Sequence, residues 1–278
     1  MRHYLGSAHR EFLITVTPVP RPKAWVFVVG CYNSGTTLLA QMLGEHPCIS
    51  ALPTEGQFLT DQWPADYTLG LPRMWVQRED LWRLTEQDAG PDVVRLKKEW
   101  AIRLDRSRDF LLEKSPPNAA RTRWLQRHFE NAHFVLIVRN GYAVAEGIRR
   151  KAEPHHLKGG WPIEACAHQW ERSNEIMLED SAHLERSLWV RYESLAENPA
   201  GELERILAFL GLKVADMPAA SGRHWKVHER DQAVRNLNDA NIASLSPEDL
   251  ATITRIAAPM LRHFGYPLLA RAGDEAGR

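Results

Sequence analysis

Short apolar runs alternate with segments of helical periodicity along this chain. The clearest run, residues 25–29, is apolar and β-branched, and it predicts a buried strand. Leucine and methionine then recur at helical spacing over residues 36–43. Between them, the segment 30–35 has glycine at each end and predicts a tight turn. In this order of elements, backbone N–H groups and the positive end of a helix can face an anion.

The same patterns predict further elements after this unit. A strand that runs into a turn is expected over residues 109–117, and further strands at 132–138 and 187–192; a short strand begins at 49, and 12–16 is a candidate edge strand. Helices are expected over residues 92–104, 118–129 (with its basic face outward), 142–151, 163–180, 198–211 and 246–265. Because strands and helices alternate, we predict an α/β protein, a P-loop-containing three-layer fold with a central parallel sheet flanked by helices.

Composition narrows the class of protein. The 278 residues, 44% of them hydrophobic, fit one α/β domain. The 35 basic residues balance the 35 acidic residues, which argues against a general nucleic-acid binder. Three cysteines without paired spacing predict neither a disulfide framework nor a zinc site, and they fit a reducing compartment. With no apolar run of membrane-spanning length and no signal-peptide core, the expectation is a soluble cytoplasmic protein without a membrane span.

Charged residues follow three of the predicted strands. Glu55 comes after the short strand at 49, Lys114 lies just past the end of the next strand, and Arg139 directly follows the strand at 132–138. Because the carboxyl ends of parallel strands converge on the ligand crevice, we expect these residues near the turn at 30–35. Two simpler interpretations stay open, a solvated loop carboxylate for Glu55 and a salt bridge at the rim of the sheet for Arg139.

The turn departs from the phosphate loop of nucleoside triphosphatases, G-x-x-x-x-G-K-[ST]. Thr36 stands at the place of the lysine that reaches the β- and γ-phosphates. A loop with the glycines but without the lysine suits a single 5′-phosphate better than a triphosphate.

Tryptophans in the segment 59–108 are expected mostly in the core, with one or two able to stack on a substrate ring. The loop 152–162 is expected to act as a lid.

Five segments, taken in order, resemble the sulfotransferases that use 3′-phosphoadenosine 5′-phosphosulfate (PAPS). The branch most similar contains the tyrosylprotein and glycosaminoglycan sulfotransferases and their bacterial relatives. The segments are residues 30–39, His46-Pro47 with Glu55, Glu113-Lys-Ser-Pro116, residues 134–141 and residues 190–212. The resemblance implies one sulfotransferase-like domain over 1–278, made of a 5′-phosphosulfate loop unit (24–58), a substrate-pocket insertion (59–108), a 3′-phosphate-binding core (109–212) and a basic loop with a C-terminal helix (213–278).

This resemblance implies in-line transfer of a sulfuryl group from PAPS to a hydroxyl or amine of a small-molecule, lipid or carbohydrate acceptor. Adenosine 3′,5′-bisphosphate (PAP) is then the product, and no metal is required. Glu55 would be the base, and Lys114 would stabilise the sulfuryl group. The residues implied in donor binding are Ser34, Gly35, Thr36 and Thr37 at the 5′-phosphate, Arg139 at the 3′-phosphate, Tyr192 beside the adenine, and Lys226 or Arg230 closing over the nucleotide.

Two positions depart from the family pattern. Asn33 occupies the place of a lysine or arginine that stabilises the transition state, and a neutral amide donates a weaker hydrogen bond than a cation. Gly147 occupies the place of a serine that binds the 3′-phosphate, and a cation among residues 149–151 would compensate. The alternatives are a nucleotide-binding pseudoenzyme of the same fold and a P-loop kinase. The sequence leaves the acceptor and the oligomeric state open, a homodimer included.

Overall fold

A five-stranded parallel sheet forms the centre of the molecule. The computed structural model describes residues 7–152, 160–216, 225–227, 230–232 and 235–269. The strands are β1 (Ala24–Val29), β2 (Ile49–Ala51), β3 (Phe110–Lys114), β4 (His133–Val138) and β5 (Ser187–Arg191), in the spatial order β2-β3-β1-β4-β5. A separate antiparallel hairpin joins β6 (Trp225–Val227) to β7 (Arg230–Gln232). The predicted α/β class with a parallel sheet is confirmed.

Helices cover both faces of the sheet. They are α1 (Ser7–Val16), α2 (Thr36–Gly44), α3 (Val93–Ala101), α4 (Thr122–His128), α5 (Gly141–Ala152), α6 (Ile163–Ser181), α7 (Tyr192–Glu197), α8 (Pro199–Phe209), α9 (Asn238–Ile242) and α10 (Pro247–His263). Short 3₁₀ turns connect several of them, including Gly56–Phe58, Asp66–Leu69 and Trp75–Leu81.

The hydrophobic core lies in two layers because side chains of a strand alternate between its faces. From β1, Trp25 and Phe27 pack with apolar residues of α4, α5, α6 and α10. Val26 and Val28 point the other way and pack with α2 and α8. All six side chains of β1 are buried, as expected for a strand that is covered on both faces.

Two sequence-based expectations about local structure are wrong. The candidate edge strand at 12–16 is the second half of α1, which packs beside α3 and is joined to it by the ion pair between Glu11 and Arg95. A five-residue apolar run does not distinguish a strand from a helix by periodicity alone. The basic face of the helix at 118–129 is not all exposed, because Arg121 is fully buried with its guanidinium 3.6 Å above the ring of Trp63.

The expectation that the tryptophans of 59–108 lie mostly in the core is confirmed. Trp63, Trp75, Trp82 and Trp100 are all buried, the most exposed at 6%. The predicted start of the last helix is also confirmed, since Ser246 and Asp249 form a reciprocal cap at α10. In the described ranges, no helix has both the length and the apolar character needed to span a bilayer.

Candidate active site

The carboxyl ends of the five parallel strands open at one edge of the sheet. From β1 the chain passes beyond β3 to β2, whereas from β3 it crosses β1 to reach β4. Such a reversal of direction leaves a crevice at the strand ends, where ligands bind in open α/β sheets. The segments that follow β1, β2, β3 and β4 carry the predicted site residues to this edge.

The turn after β1 is shaped for close approach of a ligand to the backbone. Gly35 has φ 95°, and a Cβ there would lie 2.7 Å from the ring of Tyr192. A Cβ on Gly30 would lie 2.6 Å from the carbonyl oxygen of Ile137, so both ends of the turn require glycine. Gly35 caps α2 without a side chain, which leaves the first N–H groups of the helix for an anion.

Several buried polar groups beside this turn lack a partner among the described residues. They are both carboxamide atoms of Asn33, the hydroxyl of Ser34 and Nη2 of Arg139. Leaving each such group unbonded costs roughly 1–3 kcal/mol. Three of these atoms can donate, Nδ2 of Asn33, the hydroxyl of Ser34 and the charged Nη2 of Arg139, so an anion is the ligand that suits them. These residues fit the phosphate groups of a nucleotide.

Arg139 is held in place from three sides. Its Nη1 donates to the carbonyl oxygen of Asn33 at 2.9 Å, and its Nε donates to Oδ1 of Asn238 at 2.8 Å. The guanidinium stacks 4.2 Å from the ring centre of Tyr192. Burial lowers the pKa of Arg139, and it forms no ion pair with another described residue. The interpretation of Arg139 as a rim salt bridge is therefore wrong.

The structure brings Glu55 and Lys114 into contact across the crevice. Nζ of Lys114 lies 2.9 Å from Oε1 of Glu55, and Nε2 of Gln57 donates to the second oxygen at 2.7 Å. Both side chains are mostly buried, which excludes a solvated loop carboxylate. A carboxylate and an ammonium group thus meet at the edge where the phosphate-binding turn opens.

A buried carboxylate beneath this pair fixes their relative positions. Glu113 accepts hydrogen bonds from the backbone N–H of Gly56 at 2.9 Å, from the hydroxyl of Ser115 and from the amide of Asn118. Its complete burial raises the pKa of Glu113. Because Gly56 follows Glu55 and Glu113 precedes Lys114, this bond ties the two reactive side chains to one another. Glu113 belongs to the segment Glu113-Lys-Ser-Pro116 of the family resemblance, but no local pattern in the sequence indicates this role.

A cavity of about 340 Å³ opens beside Glu55. The other residues that line it are Tyr32, Phe58, Tyr67 and Arg73. None of these four was singled out by sequence reasoning. Tyr32 and Phe58 follow strands whose ends point to the crevice, whereas Tyr67 and Arg73 lie in the long segment after β2, where no local pattern singles them out.

Asp66 holds the wall of this cavity together. It accepts hydrogen bonds from the hydroxyl of Tyr32 at 2.7 Å and from the backbone N–H groups of Tyr67 and Arg73 at 2.9 and 2.8 Å. Burial raises the pKa of Asp66. Arg73 adopts a left-handed backbone, with φ 66°, that these bonds stabilise. The guanidinium of Arg73 lies at the cavity, 5.8 Å from the ring centre of Tyr32.

The three cations expected to compensate for Gly147 have different surroundings. Arg149 pairs with Asp249 at 2.9 Å, and Arg150 pairs with Glu146 at 2.7 Å. Both side chains are therefore engaged in ion pairs with neighbouring carboxylates. Lys151 is the cation of this group whose electrostatic neighbours lie at the site.

Lys151 is close to the arginines of both parts of the site. Burial lowers the pKa of Lys151 to about 7, and the positive charges of Arg73 and Arg139 add to this lowering. Repulsion of this kind is relieved when an anion enters between the cations. An anion bound near these arginines would therefore also favour the charged form of Lys151.

The late basic loop is described only in part. The backbone of β6 and β7 carries Lys226 and Arg230, and β6 lies against α2. The side chains of both residues lie outside the description, as do residues 153–159 of the predicted lid. Their roles stay predictions.

Fold and site define an α/β protein with a phosphate loop that has no lysine and ends beside a carboxylate–ammonium pair. The family model described as "Sulfotransferase family" matches residues 25–216. The chain belongs to the sulfotransferase family, a family of enzymes, and the interpretation as a P-loop kinase is wrong.

Curated relatives are similar over most of the chain. The protein-tyrosine sulfotransferase A of Caenorhabditis elegans is 26% identical over 88% of this chain and 68% of its own length. The protein-tyrosine sulfotransferase 2 of Gallus gallus is 25% identical over 95% of this chain and 77% of its own.

Solved structures share the fold. The sulfotransferase domain of the Synechococcus PCC 7002 olefin synthase superposes with a TM-score of 0.57 at 20% identity, covering 90% of this chain and 97% of that domain. A mouse sulfotransferase solved in complex with PAP gives a TM-score of 0.51 at 14% identity, covering 90% and 91% of the two chains. The predicted three-layer fold is thereby confirmed.

Proposed function

We propose that this protein transfers a sulfuryl group from PAPS to a hydroxyl group or an amine of its acceptor. The observation that carries the proposal is the set of buried, unpartnered groups on Asn33, Ser34 and Arg139, placed at the same edge as the Glu55–Lys114 pair. One end of this arrangement suits the phosphates of a nucleotide, and the other suits proton transfer beside a developing charge. A loop without the usual lysine matches a donor without β- and γ-phosphates.

The proposed reaction is a displacement at sulfur. A lone pair of the acceptor oxygen or nitrogen forms the new bond to sulfur, while the bond from sulfur to the bridging oxygen of the 5′-phosphate breaks. That electron pair stays on the bridging oxygen, so PAP leaves. Glu55 takes the acceptor proton, and Lys114 stabilises the charge on the sulfuryl and bridging oxygens.

For the acceptor we propose the phenolic hydroxyl of a small molecule. Phe58 and Tyr67 meet edge to face at 5.9 Å, and with Tyr32 they give the cavity aromatic walls next to Glu55. A volume of about 340 Å³ is at the lower end of small-molecule sites, which suits one ring better than a lipid chain. The names of the relatives favour a tyrosyl side chain of a protein as the second candidate.

Binding of PAP and of adenosine 5′-phosphate, which differ by the 3′-phosphate, tests the donor. In the presence of a chelator we expect both to bind. Arg139→Ala should weaken PAP binding about 30-fold or more, because charge-assisted hydrogen bonds are worth about 1.5–3 kcal/mol each, and should change binding of the monophosphate less than about 3-fold.

Arg123→Ala is the matched control, since Arg123 pairs with Glu86 at the surface and should leave both affinities unchanged. Equal losses for the two ligands in Arg139→Ala would remove Arg139 from the 3′-phosphate. Transfer of labelled sulfate from PAPS to a simple phenol or to a tyrosine-containing peptide then separates the two acceptors. Binding of PAP without transfer to any acceptor would instead favour a pseudoenzyme.

The lowered pKa of Lys151 predicts that binding of the donor is coupled to uptake of a proton. At pH 8 this side chain is mostly neutral in the free protein, because its pKa is lowered to about 7. An anion between Lys151 and its neighbouring arginines favours the charged form, so PAP binding should take up about one proton at pH 8 and weaken as pH rises from 7 to 9. Calorimetry in buffers of different ionisation enthalpy measures this uptake.

Lys151→Met should abolish the uptake, whereas Lys23→Met, at a surface pair with Asp109, should retain it. Uptake that persists in Lys151→Met would place the titrating group elsewhere.

A further inference from the structure

Asn33 and Gly147 interlock at the phosphate-binding turn. A Cβ on Gly147 would lie 3.2 Å from Cγ and 3.3 Å from Cβ of Asn33, so the carboxamide of Asn33 lies against the glycine of α5. The backbone of Asn33 is left-handed, with φ 63°. A larger residue at position 147 would displace Asn33.

The carboxamide has the signs of a ligand-binding group. Neither Nδ2 nor Oδ1 is exposed, and neither has a hydrogen-bond partner within the part of the chain that the structure describes. Packing against Gly147 supplies shape but no hydrogen bond. Because a buried amide donor without a partner is destabilising, a bound group is expected to accept from it.

The backbone of Asn33 is joined directly to Arg139. Nη1 of Arg139 donates to the carbonyl oxygen of Asn33 at 2.9 Å, Nε is taken by Asn238, and Nη2 has no described partner. The unpartnered donors of Asn33 and Arg139 therefore belong to one niche between the turn and α5. A neutral amide adds a donor there without adding a second buried charge beside Arg139.

We propose that the Asn33 carboxamide binds the same phosphate as Arg139, the 3′-phosphate of the donor, and that Gly147 is the gap that lets it do so. This inference rests on the proposed function, in which Arg139 binds that phosphate. Asn33 is then a donor-specificity residue and not a weak substitute for a cation at the sulfuryl group. The two departures from the family pattern become one, since the amide occupies the space that a side chain at 147 would take.

Titrations with PAP and with adenosine 5′-phosphate test this. Asn33→Ala should weaken PAP binding about 10-fold, the value of one hydrogen bond to a charged group, and change monophosphate binding less than about 2-fold. Equal losses for both ligands would assign Asn33 to the 5′-phosphate and overturn the inference. If Arg139→Ala fails to separate the two ligands, the assignment of the 3′-phosphate fails; if only Asn33→Ala fails to do so, the inference fails alone.

The effect of Gly147→Ser on PAP affinity should depend on the residue at position 33 and should be opposite in the two backgrounds. In the native background Gly147→Ser crowds Asn33 and should weaken PAP binding. In the Asn33→Ala background the same change should restore most of the lost affinity, because the serine hydroxyl enters the vacated space. Gly147→Ala in that background is the control and should restore none; rescue by alanine, or no rescue by serine, contradicts the proposal. Thermal unfolding of each variant verifies that it is folded.

Discussion

Replacing Glu55 by glutamine should abolish catalysis while leaving the donor bound. Glutamine keeps an oxygen that can accept from Lys114, now 2.9 Å from the carboxylate, but it cannot take the acceptor proton. Loss of a general base typically lowers kcat by about 10²–10⁴-fold. The dissociation constant of PAP should change less than about 2-fold, because a neutral isostere leaves the phosphate-binding turn untouched.

Steady-state transfer of labelled sulfate and calorimetric PAP titration measure the two quantities. Glu204→Gln, on the exposed side of α8, removes a carboxylate of the same chemistry and should leave both unchanged. Retained turnover in Glu55→Gln would show that another group accepts the proton. A parallel loss of PAP binding would mean that Glu55 acts in binding and not in proton transfer.

Replacing Lys114 by methionine should lower kcat by about 10²–10³-fold, the usual loss when a preorganised electrostatic group at a transition state is removed. Methionine retains much of the buried aliphatic length, so Glu55 and Glu113 should keep their backbone positions. In the proposed reaction, the charge assigned to Lys114 develops on the bridging oxygen as the bond to sulfur breaks. The effect should therefore fall mainly on kcat, with PAP affinity reduced less than about 5-fold.

The double variant distinguishes a joint role from two separate ones. Glu55 and Lys114 share a hydrogen bond, so their losses should be strongly non-additive, with the double variant little slower than Glu55→Gln alone. Lys23→Met, a surface lysine paired with Asp109, should leave the rate unchanged. The proposed role would be contradicted if the kcat losses of the two single variants multiplied in the double variant. It would also be contradicted if Lys114→Met affected only the affinity for PAP.

Much of the fold was readable from local patterns. The apolar run of β1 and the glycine-bounded turn before α2 determine their own structure, because a short buried strand and an uncapped helix start depend on nearby residues. The run at 12–16 predicts an edge strand but belongs to helix α1. The ion-pair partners of this helix, on α3 and in the segment after β2, are about 50–85 residues away in the sequence. The burial of Arg121 depends in the same way on Trp63, which is distant in the sequence.

The candidate site divides along the same line. The sequence by itself predicted the glycine-bounded turn and the charged residues near strand ends, which parallel strands must bring to one edge. The family was indicated separately, by the resemblance of five segments in order. Only the tertiary structure decided which groups meet there: Lys114 with Glu55, Glu113 beneath them, Arg73 at the cavity and Asn33 against Gly147. Such contacts depend on side-chain packing between segments far apart in the chain, which no local pattern encodes. The turn between β1 and α2 thus predicts that an anion binds, and the residues packed around it decide which one.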